Sequence, residues 1–358
     1  MILPIMTSQT SPAPKGFENG PRSMAAVRVL RISLTDRCNY RCVYCMPEDG
    51  VAWLDREELL TVDEIVQVAR AAMQIHGIGR FKLTGGEPTV RPDLPEIIRA
   101  LRHEGADDLS MTTNGQRLKS LARPLREAGL DRITTSIDSL EPEKFRRITR
   151  TGDLQTVLEG LAEAEAAGFS GLKVNCVTMR GINDNELGAF ARLTLKRRIT
   201  VRFIEYMPLG DAAVLHVGPA AGCDGQGRGE DVLVTETAAR QIIERELGPL
   251  VAVDRQSESG VGPASVWRLA LGQPRGRIGF ISAMSAPFCS DCNRLRLTAD
   301  GLLRSCLFDG GEIDLKPILR GGQGDRSRAI ADAMSECIRL KPVLHSGHGG
   351  KQMSRIGG

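Results

Sequence analysis

The feature of this sequence that most constrains its fold is an alternation of short β-rich runs and longer helical patterns, which starts near Val27. Hydrophobic residues recur with a period of about 2 in the runs and about 3.6 between them. Strands are predicted at "VRVLRISLT", "RFKLTGG", "DLSMTTNG", "DRITTSID", "GLKVNCVTM" and "ITVRFIEYMP", with helices at 61–77, 94–103, 118–128, 154–167 and 186–196. Thr61, with Glu64 three positions later, predicts a capped start for the first helix. Such alternation predicts an α/β fold with a parallel sheet and right-handed crossovers, either doubly wound or rolled into a barrel.

Most of the chemically unusual residues directly follow a predicted strand. A cysteine triad follows the first strand, "TGGEP" the second, "TTNG" the third and "SIDS" the fourth, while "EYMP" ends the sixth. The carboxyl ends of parallel strands meet at one rim, and ligands bind there in both doubly wound and barrel folds. The sequence therefore predicts a single site on that rim.

The first triad consists of Cys38, Cys42 and Cys45, spaced C-x3-C-x2-C without a fourth cysteine nearby. Three thiolates on a tight loop can ligate three irons of a [4Fe–4S] cluster. The fourth iron then stays open to a small molecule, as a catalytic zinc keeps an open position. Zinc with a borrowed fourth ligand, or unliganded thiols, are the alternatives at this stage.

A second triad, Cys289, Cys292 and Cys306, has the spacing C-x2-C-x13-C. This spacing is less specific, because zinc sites with four cysteines or with three cysteines and a histidine use similar separations. An iron–sulfur cluster and a zinc ion are both compatible with it. The residues that could complete a zinc site are Cys337, His345 and His348.

The composition excludes several classes of function. A net charge of +3 over 358 residues does not favour broad binding to nucleic acid, and no apolar run approaches the length of a membrane span. Nine cysteines in a long chain whose first residues do not resemble a secretory signal are typical of metal binding under reducing conditions. We therefore expect a cytoplasmic protein without nucleic-acid or membrane partners.

The motifs taken together mark a family resemblance. "CNYRCVYC" after the first strand, with "TGGEP" after the second, resembles the radical S-adenosylmethionine (SAM) superfamily. From about Arg31 to the final "IGG", the chain resembles the GTP 3',8-cyclase family of molybdenum cofactor biosynthesis. The resemblance implies an incomplete parallel (βα)6 TIM-type barrel with a smaller C-terminal α+β region that carries a second iron–sulfur cluster. It also implies that both triads hold [4Fe–4S] clusters.

Beyond Met207 the alternation stops. A Gly-rich stretch is followed by a predicted helix at 234–246 and by the short strands "SVWRLAL" and "RIGFIS". With the resemblance, we expect four segments. They are a disordered leader at 1–24, the radical SAM partial barrel at 25–250, an auxiliary-cluster region at 251–340, and a tail at 341–358 that ends in Gly-Gly.

The resemblance places SAM on the open iron of the first cluster. Glu87 would then meet the ammonium group and Tyr44 would pack beside the adenine. Gly85 and Gly86 lack a Cβ, so their backbone can approach a ligand closely. The residues that match the family's cofactor-binding positions are Tyr44, Gly86, Glu87, Ser136 and Met207.

GTP is the substrate that the resemblance implies, and its triphosphate requires cations. Lys82 stands where the family commonly has arginine. Arg294 and Arg296 are two positions apart and would share one face of an extended strand. The residues that match substrate contacts are Arg31, Lys82, Thr113, Lys173, Arg294, Leu295 and Arg296. The resemblance also implies a catalytic role for Arg31. It implies the same for Gly357 and Gly358, because it has the tail reach into the active site.

In the family's reaction a 5'-deoxyadenosyl radical takes hydrogen from the ribose C3' of GTP, and the C3' radical then adds to C8 of guanine. The product is (8S)-3',8-cyclo-7,8-dihydroguanosine 5'-triphosphate. The implied partners are a single-electron reductant of flavodoxin or ferredoxin type, a downstream cyclic pyranopterin monophosphate synthase, and a second copy in a homodimer. The alternatives are a peptide-modifying radical SAM enzyme, which usually has a longer C-terminal cysteine array, and a non-enzymatic zinc or iron–sulfur module.

Overall fold

The computed structural model describes residues 20–210, 232–254, 262–321, 324–347, 349–351 and 353–356. Within these ranges twelve strands form one sheet, in the order β12-β11-β10-β1-β2-β3-β4-β5-β6-β9-β8-β7. The strands are β1 Val29–Ser33, β2 Arg80–Thr84, β3 Asp108–Thr113, β4 Arg132–Ser136, β5 Lys173–Thr178, β6 Thr200–Glu205, β7 Leu250–Ala252, β8 Ser265–Leu269, β9 Arg277–Ile281, β10 Arg294–Leu297, β11 Leu302–Arg304 and β12 Glu312–Asp314.

Helices connect and cover the parallel strands. They are α1 Val62–His76, α2 Leu94–His103, α3 Leu118–Glu127, α4 Pro142–Thr149, α5 Leu154–Ala166, α6 Leu187–Lys196, α7 Glu236–Leu247, α8 Lys316–Arg320, α9 Arg326–Arg339 and α10 Met353–Ile356. The six strands and the helices predicted between them are confirmed to within two residues at nearly every end. The predicted cap is confirmed too: Thr61 Oγ1 accepts from the Glu64 backbone N–H, and Glu64 Oε2 accepts from the Thr61 N–H.

Helix α4 was not predicted. It begins with a proline at its first turn and buries Phe145 and Ile148 on one side, while most of its other residues are charged. Eight residues with two apolar contacts give a weak periodic signal, so tertiary packing decides this helix.

The partial barrel is confirmed, and the C-terminal region enlarges it. β10 lies parallel to β1 and β9 lies parallel to β6, so eight neighbouring strands run in one direction. β9 and β10 do not pair with each other, since antiparallel β8 and β11 lie on their outer sides, and the described sheet therefore stays open. Strands distant in sequence thus flank the six predicted ones and deliver residues to the same interior.

Strand alternation separates the hydrophobic core from the interior of the curved sheet. In β1, Leu30 and Ile32 are fully buried in the main core, whereas Arg31 between them faces the other side and lines a cavity. The same parity holds in β3, where Leu109 and Met111 join the core and Ser110 lines the cavity. Among the described residues there is no helix with the length and apolarity that crossing a bilayer would require.

The four predicted segments are covered to different extents. Of the expected leader at 1–24, only residues 20–24 belong to the described part of the chain, and Ser23 there caps a short 3₁₀ helix, Met24–Ala26. Gly357 and Gly358 of the tail lie outside the described residues. The division at residue 250 stays a prediction, and the strands on both sides of it belong to one sheet.

Candidate active site

The first cysteine triad lies on the loop that follows β1. The Cys45 and Met46 backbone N–H groups both donate to Cys42 O, at 2.9 and 3.1 Å, so the loop turns tightly between its last two cysteines. The Tyr40 N–H donates to Cys38 Sγ at 3.4 Å. Hydrogen bonds from the loop backbone to the end of α4 hold this segment in place.

Burial dominates the chemistry of these thiols. It raises the pKa of Cys38 to about 12, with Glu87 adding to the effect, and that of Cys45 to about 12. The pKa of Cys42 is also well above its ordinary value because of burial and the nearby Asp138. Thiolates become favourable in such a setting when a metal supplies positive charge, so three thiols on one loop fit an iron cluster as the resident group.

Glu87 of the "GGEP" turn is buried and bound by neighbouring strands. Its Oε1 accepts from Thr89 Oγ1 at 2.5 Å and from Thr113 Oγ1 at 2.6 Å, and its Oε2 accepts from the Asn114 N–H at 2.7 Å. Burial raises the pKa of Glu87, and these hydrogen bonds counteract part of that rise. The Thr113 hydroxyl thus donates to Glu87, and it also accepts from the Gly115 N–H at 3.0 Å. The expected contact of Thr113 with substrate stays a prediction.

Gly85 and Gly86 have a packing reason that the sequence did not suggest. A Cβ on Gly85 would stand 2.6 Å from Thr35 O, and one on Gly86 would stand 2.4 Å from Asp36 O. The Gly86 N–H donates to Thr35 O at 2.6 Å. The glycines thus let the turn after β2 lie directly against the loop that leads to the first triad. Their approach to a ligand stays a prediction.

Tyr44, which lies between two cysteines of the first triad, contacts the segment that follows β4. Tyr44 Oη donates to Asp138 Oδ2 at 2.7 Å, and Asp138 Oδ1 accepts from the Val177 N–H at 2.8 Å. Burial raises the pKa of Asp138 to about 6. Ser136 ends β4 two residues earlier, so "SIDS" does lie beside the triad.

A cavity of about 250 Å³ occupies the interior of the curved sheet. Alternate residues of the six central strands form its wall, together with residues around the second triad and Met207. Cationic side chains in the described part of this wall are Arg31, Arg80, Lys82, Arg132, Lys173, Arg202, Arg294 and Arg296. Arg132 pairs with Asp108, whose Oδ1 accepts from Arg132 Nε at 2.9 Å.

Strand register places several of these cations side by side. Arg31 lies opposite Lys82 on β2 and opposite Arg296 on β10. Burial and the neighbouring guanidinium groups lower the pKa of Arg31 well below its ordinary value and that of Arg296 to about 10. Burial, then Arg202 and Arg31, likewise lower the pKa of Lys82. Like charges this close in a desolvated space destabilise the protein, and an anionic ligand would relieve the repulsion.

The second triad belongs to the cavity wall. Cys289, Cys292 and Cys306 all line it; Cys289 begins the short 3₁₀ helix Cys289–Asp291, and Cys292 directly follows that helix. Burial acts to raise the pKa of Cys292, but Arg294 and Lys341 outweigh it and lower this pKa to about 6. Three sulfur donors, one of them favoured as thiolate by adjacent cations, fit a metal cluster here as well.

The described residues offer the second triad no free fourth ligand for zinc. In that part of the chain no three His, Cys, Asp or Glu side chains gather closely enough to hold a single metal ion, and this applies to both cysteine triads as well. Cys337 is fully buried in the core, and both ring nitrogens of His345 are engaged, with Ala283 O at 2.9 Å and the Gly347 N–H at 3.0 Å. His348 lies outside the described residues.

The predicted substrate residues of β10 alternate between the two faces of the sheet. Arg294 and Arg296 face the cavity as predicted, while the Leu295 side chain is fully buried in the core. A contact of Leu295 with substrate would therefore have to come from its backbone.

The tail approaches the first triad through helix α10. The Ser354 backbone lies near enough to Cys45 to counteract part of the rise that burial causes in the pKa of this thiol, and Arg355 Nη2 donates to Ala52 O at 2.7 Å. Ile356 is 2% exposed and packs against Leu209 and other apolar residues. The described chain thus ends, one residue before Gly357, close to a cysteine of the first triad.

Several residues of the site were not predicted, among them the cavity cations Arg80 and Arg132. Arg202 lies on the interior face of β6, and a charged residue in a buried parallel strand was the available signal. Asp138 stood inside the quoted "SIDS" motif but was not chosen. Lys341 gave no local signal, because its partner Cys292 is 49 residues away.

Comparison with known proteins agrees with this geometry. Residues 32–194 match the Radical SAM superfamily and residues 199–347 match Molybdenum Cofactor Synthesis C. A protein of Pelotomaculum thermopropionicum named GTP 3',8-cyclase is 44% identical over 337 residues, which cover 93% of this chain and 98% of that protein. Proteins of the same name from Thermodesulfovibrio yellowstonii and Pseudomonas entomophila are 41% and 40% identical, over 92% and 89% of this chain and 97% and 90% of their own lengths.

A solved structure shows the same fold. Streptococcus suis SuiB bound to S-adenosylmethionine superposes with a TM-score of 0.54 at 12% identity, covering 87% of this chain and 68% of that one. At this identity the similarity concerns the fold alone.

Proposed function

The chain belongs to the GTP 3',8-cyclase family of the radical SAM superfamily, and from this membership we propose that it converts GTP into (8S)-3',8-cyclo-7,8-dihydroguanosine 5'-triphosphate, the first step of molybdenum cofactor biosynthesis. The observation that carries the proposal is the cation-lined cavity with the second cysteine triad in its wall. A nucleoside triphosphate is the kind of ligand that both features suit.

Membership of this family implies one [4Fe–4S] cluster and SAM. Cys38, Cys42 and Cys45 would hold that cluster. When bound, the cluster and SAM supply a carbon-centred radical that can abstract hydrogen from an unactivated C–H bond. In our proposal Cys289, Cys292 and Cys306 would hold a second cluster, which would contribute to binding the substrate in the cavity that these cysteines line.

The chain's own residues bind, orient and shield the substrate. The interior cations neutralise the triphosphate, and their fixed positions on six strands orient the ribose and base without reorganisation during the reaction. Arg31 lies beside Lys82 and Arg296 in this array, which supports its role as a central substrate contact. Apolar residues of the same wall, among them Ile204, Ile281 and Phe288, would help to exclude water from a reactive carbon radical.

Further SAM contacts are proposed at the rim. Glu87 is oriented by three neighbours, which suits a carboxylate that must meet an ammonium group in one geometry. Tyr44, Gly86, Ser136 and Met207 complete this proposed set. The tail, with α10 against the first triad, would bring Gly357 and Gly358 to the substrate.

The proposed partners follow from the reaction. A single-electron donor of flavodoxin or ferredoxin type must reduce the first cluster, and a cyclic pyranopterin monophosphate synthase would consume the product. We also propose a homodimer and a cytoplasmic location.

The test is an anaerobic assay of reconstituted full-length protein with dithionite and SAM, with and without GTP. We expect 5'-deoxyadenosine to form in amounts that depend on GTP, together with a cyclised guanosine triphosphate. SAM cleavage that is indifferent to GTP would leave radical chemistry in place but assign another substrate. Absence of cleavage in protein shown to hold iron would contradict the proposed function.

A further inference from the structure

Lys341 is a buried cation that the proposed reaction does not use. It follows α9 and is 3% exposed. Its Nζ donates to Cys292 O at 2.9 Å, to Arg294 O at 3.1 Å and approaches Cys292 Sγ at 3.4 Å. A buried ammonium group beside a sulfur that we assign to a metal cluster requires an explanation beyond general solubility.

The contacts of this ammonium group leave no donor for a ligand. An ammonium group has three N–H donors and no acceptor, and Lys341 has three acceptors within reach. Lys341 is also not part of the cavity wall, unlike Arg294 and Arg296. It therefore acts on the site through the residues that it holds.

Those residues form the link between the second triad and β10. One carbonyl belongs to Cys292 and the other to Arg294, which begins the strand paired with β1. Arg22 Nε donates to Lys341 O at 2.7 Å and so fixes the backbone of Lys341 itself. A single side chain thus ties a cluster ligand to the strand that presents two substrate cations.

We propose that Lys341 is a positioning residue that holds Cys292 as a cluster ligand and raises the reduction potential of the second iron–sulfur cluster. The inference depends on the proposed function, because that function includes the second cluster. Hydrogen bonds to ligand sulfur and nearby positive charge stabilise the reduced, more negative state of such clusters. Arg294 Nη2 also approaches Cys292 Sγ, at 3.9 Å, but Arg294 lines the cavity and can contact a ligand there. Lys341 does not line the cavity, so its charge acts on the sulfur without contacting a ligand.

The experiment compares Lys341→Gln and Lys341→Arg with the parent protein, and uses Lys196→Gln as a matched control. Lys196 is exposed at the end of α6, so its loss removes the same charge away from the site. Each full-length protein is reconstituted anaerobically, its iron is counted, and both clusters are titrated against potential by electron paramagnetic resonance.

For Lys341→Gln, which keeps an amide donor for the backbone carbonyls, we expect the second cluster's potential to fall while the first cluster's potential stays unchanged. Lys341→Arg should restore most of the shift. Loss of only the second cluster's iron from the Gln variant would equally support the proposal. Unchanged iron and potentials, or equal shifts in both clusters, would overturn it, and a shift with Lys196→Gln would do the same.

The parent protein separates this inference from the proposed function. If it forms no GTP-dependent product or holds only one cluster, the proposed function fails in that part, and the role of Lys341 fails with it. If it holds two clusters and forms the product, and Lys341→Gln behaves like the parent, only the inference about Lys341 fails.

Discussion

The two cysteine triads have the same number of thiols but different charged neighbours. The first lies beside the carboxyl groups of Glu87 and Asp138, and burial raises the pKa values of its cysteines. The second lies in the wall of a cationic cavity, where burial raises the pKa of Cys289 but Arg294 and Lys341 lower that of Cys292. The carboxyl groups beside the first triad favour a group that brings its own positive charge, whereas the cations around the second triad favour an anionic ligand.

The largest expected effect is that of Cys42→Ala. Removing a ligand from the first triad should abolish the formation of 5'-deoxyadenosine, because SAM would have no cluster to reduce it. The assay measures 5'-deoxyadenosine by chromatography, with iron content as a second readout. A yield equal to that of the parent protein would contradict the assignment of the first triad.

Cys292→Ala tests the role of the second triad. We expect it to keep the first cluster's iron and part of the SAM cleavage, but to lose the cyclised product, since our proposal places the second triad against the substrate. Product analysis in the same assay checks this. Undiminished cyclisation would remove the second triad from the active site.

Removal of Gly357 and Gly358 should impair turnover far more than folding. Ser354 already lies near Cys45 and Arg355 donates to Ala52 O, so we expect the fold to persist without the last two glycines. The measurement compares turnover with the thermal midpoint, and Lys196→Gln serves again as the control. An unchanged rate would mean that these glycines are an inert terminus.

Lys82→Met tests the cationic cavity. Removing one of several repelling charges should raise the stability of the ligand-free protein by about 1 kcal/mol and weaken stabilisation by GTP. In the parent protein, GTP at 100 times its dissociation constant should add about 2.7 kcal/mol. Thermal unfolding with and without GTP checks both statements. A Lys82→Met protein less stable without ligand, yet equally stabilised by GTP, would refute the charge argument.

The smallest expected effect is that of Glu64→Gln. Glu64 belongs to neither triad, so this variant shows how much an ordinary ion pair contributes to stability. Burial opposes the ionisation of Glu64, but Arg320, whose Nε donates to Glu64 Oε1 at 2.7 Å, outweighs it and lowers the pKa of Glu64. A lowered carboxyl pKa stabilises the fold above the unfolded value near 4.5, and this contribution disappears as the pH falls through the folded pKa. Glu64→Gln should therefore cost about 0.5–1 kcal/mol at pH 7 and less at pH 4. Chemical denaturation at both pH values is the measurement, and a pH-independent difference would argue against the ion pair.

Local patterns were sufficient to predict much of the fold and the rim. Alternating periods predicted the six parallel strands and the helices between them, and the position of cysteine and glycine motifs after strands predicted where they would meet. These features depend on residues near each other in sequence, or on the general rule that parallel strands end at one rim. The short helix α4 was not predicted, because two apolar residues are too few to establish a helical period.

The sequence by itself determined that this chain forms a parallel α/β sheet with two cysteine triads and a set of interior cations. Only the tertiary structure decided that β9 and β10 flank the six predicted strands, so that Arg296 lies beside Arg31 across the sheet. It also decided that Thr113 binds Glu87 and that Lys341 meets Cys292. The physical reason is that these contacts join residues distant in the chain, whose register depends on the packing of the whole sheet and leaves no periodic signal in either segment.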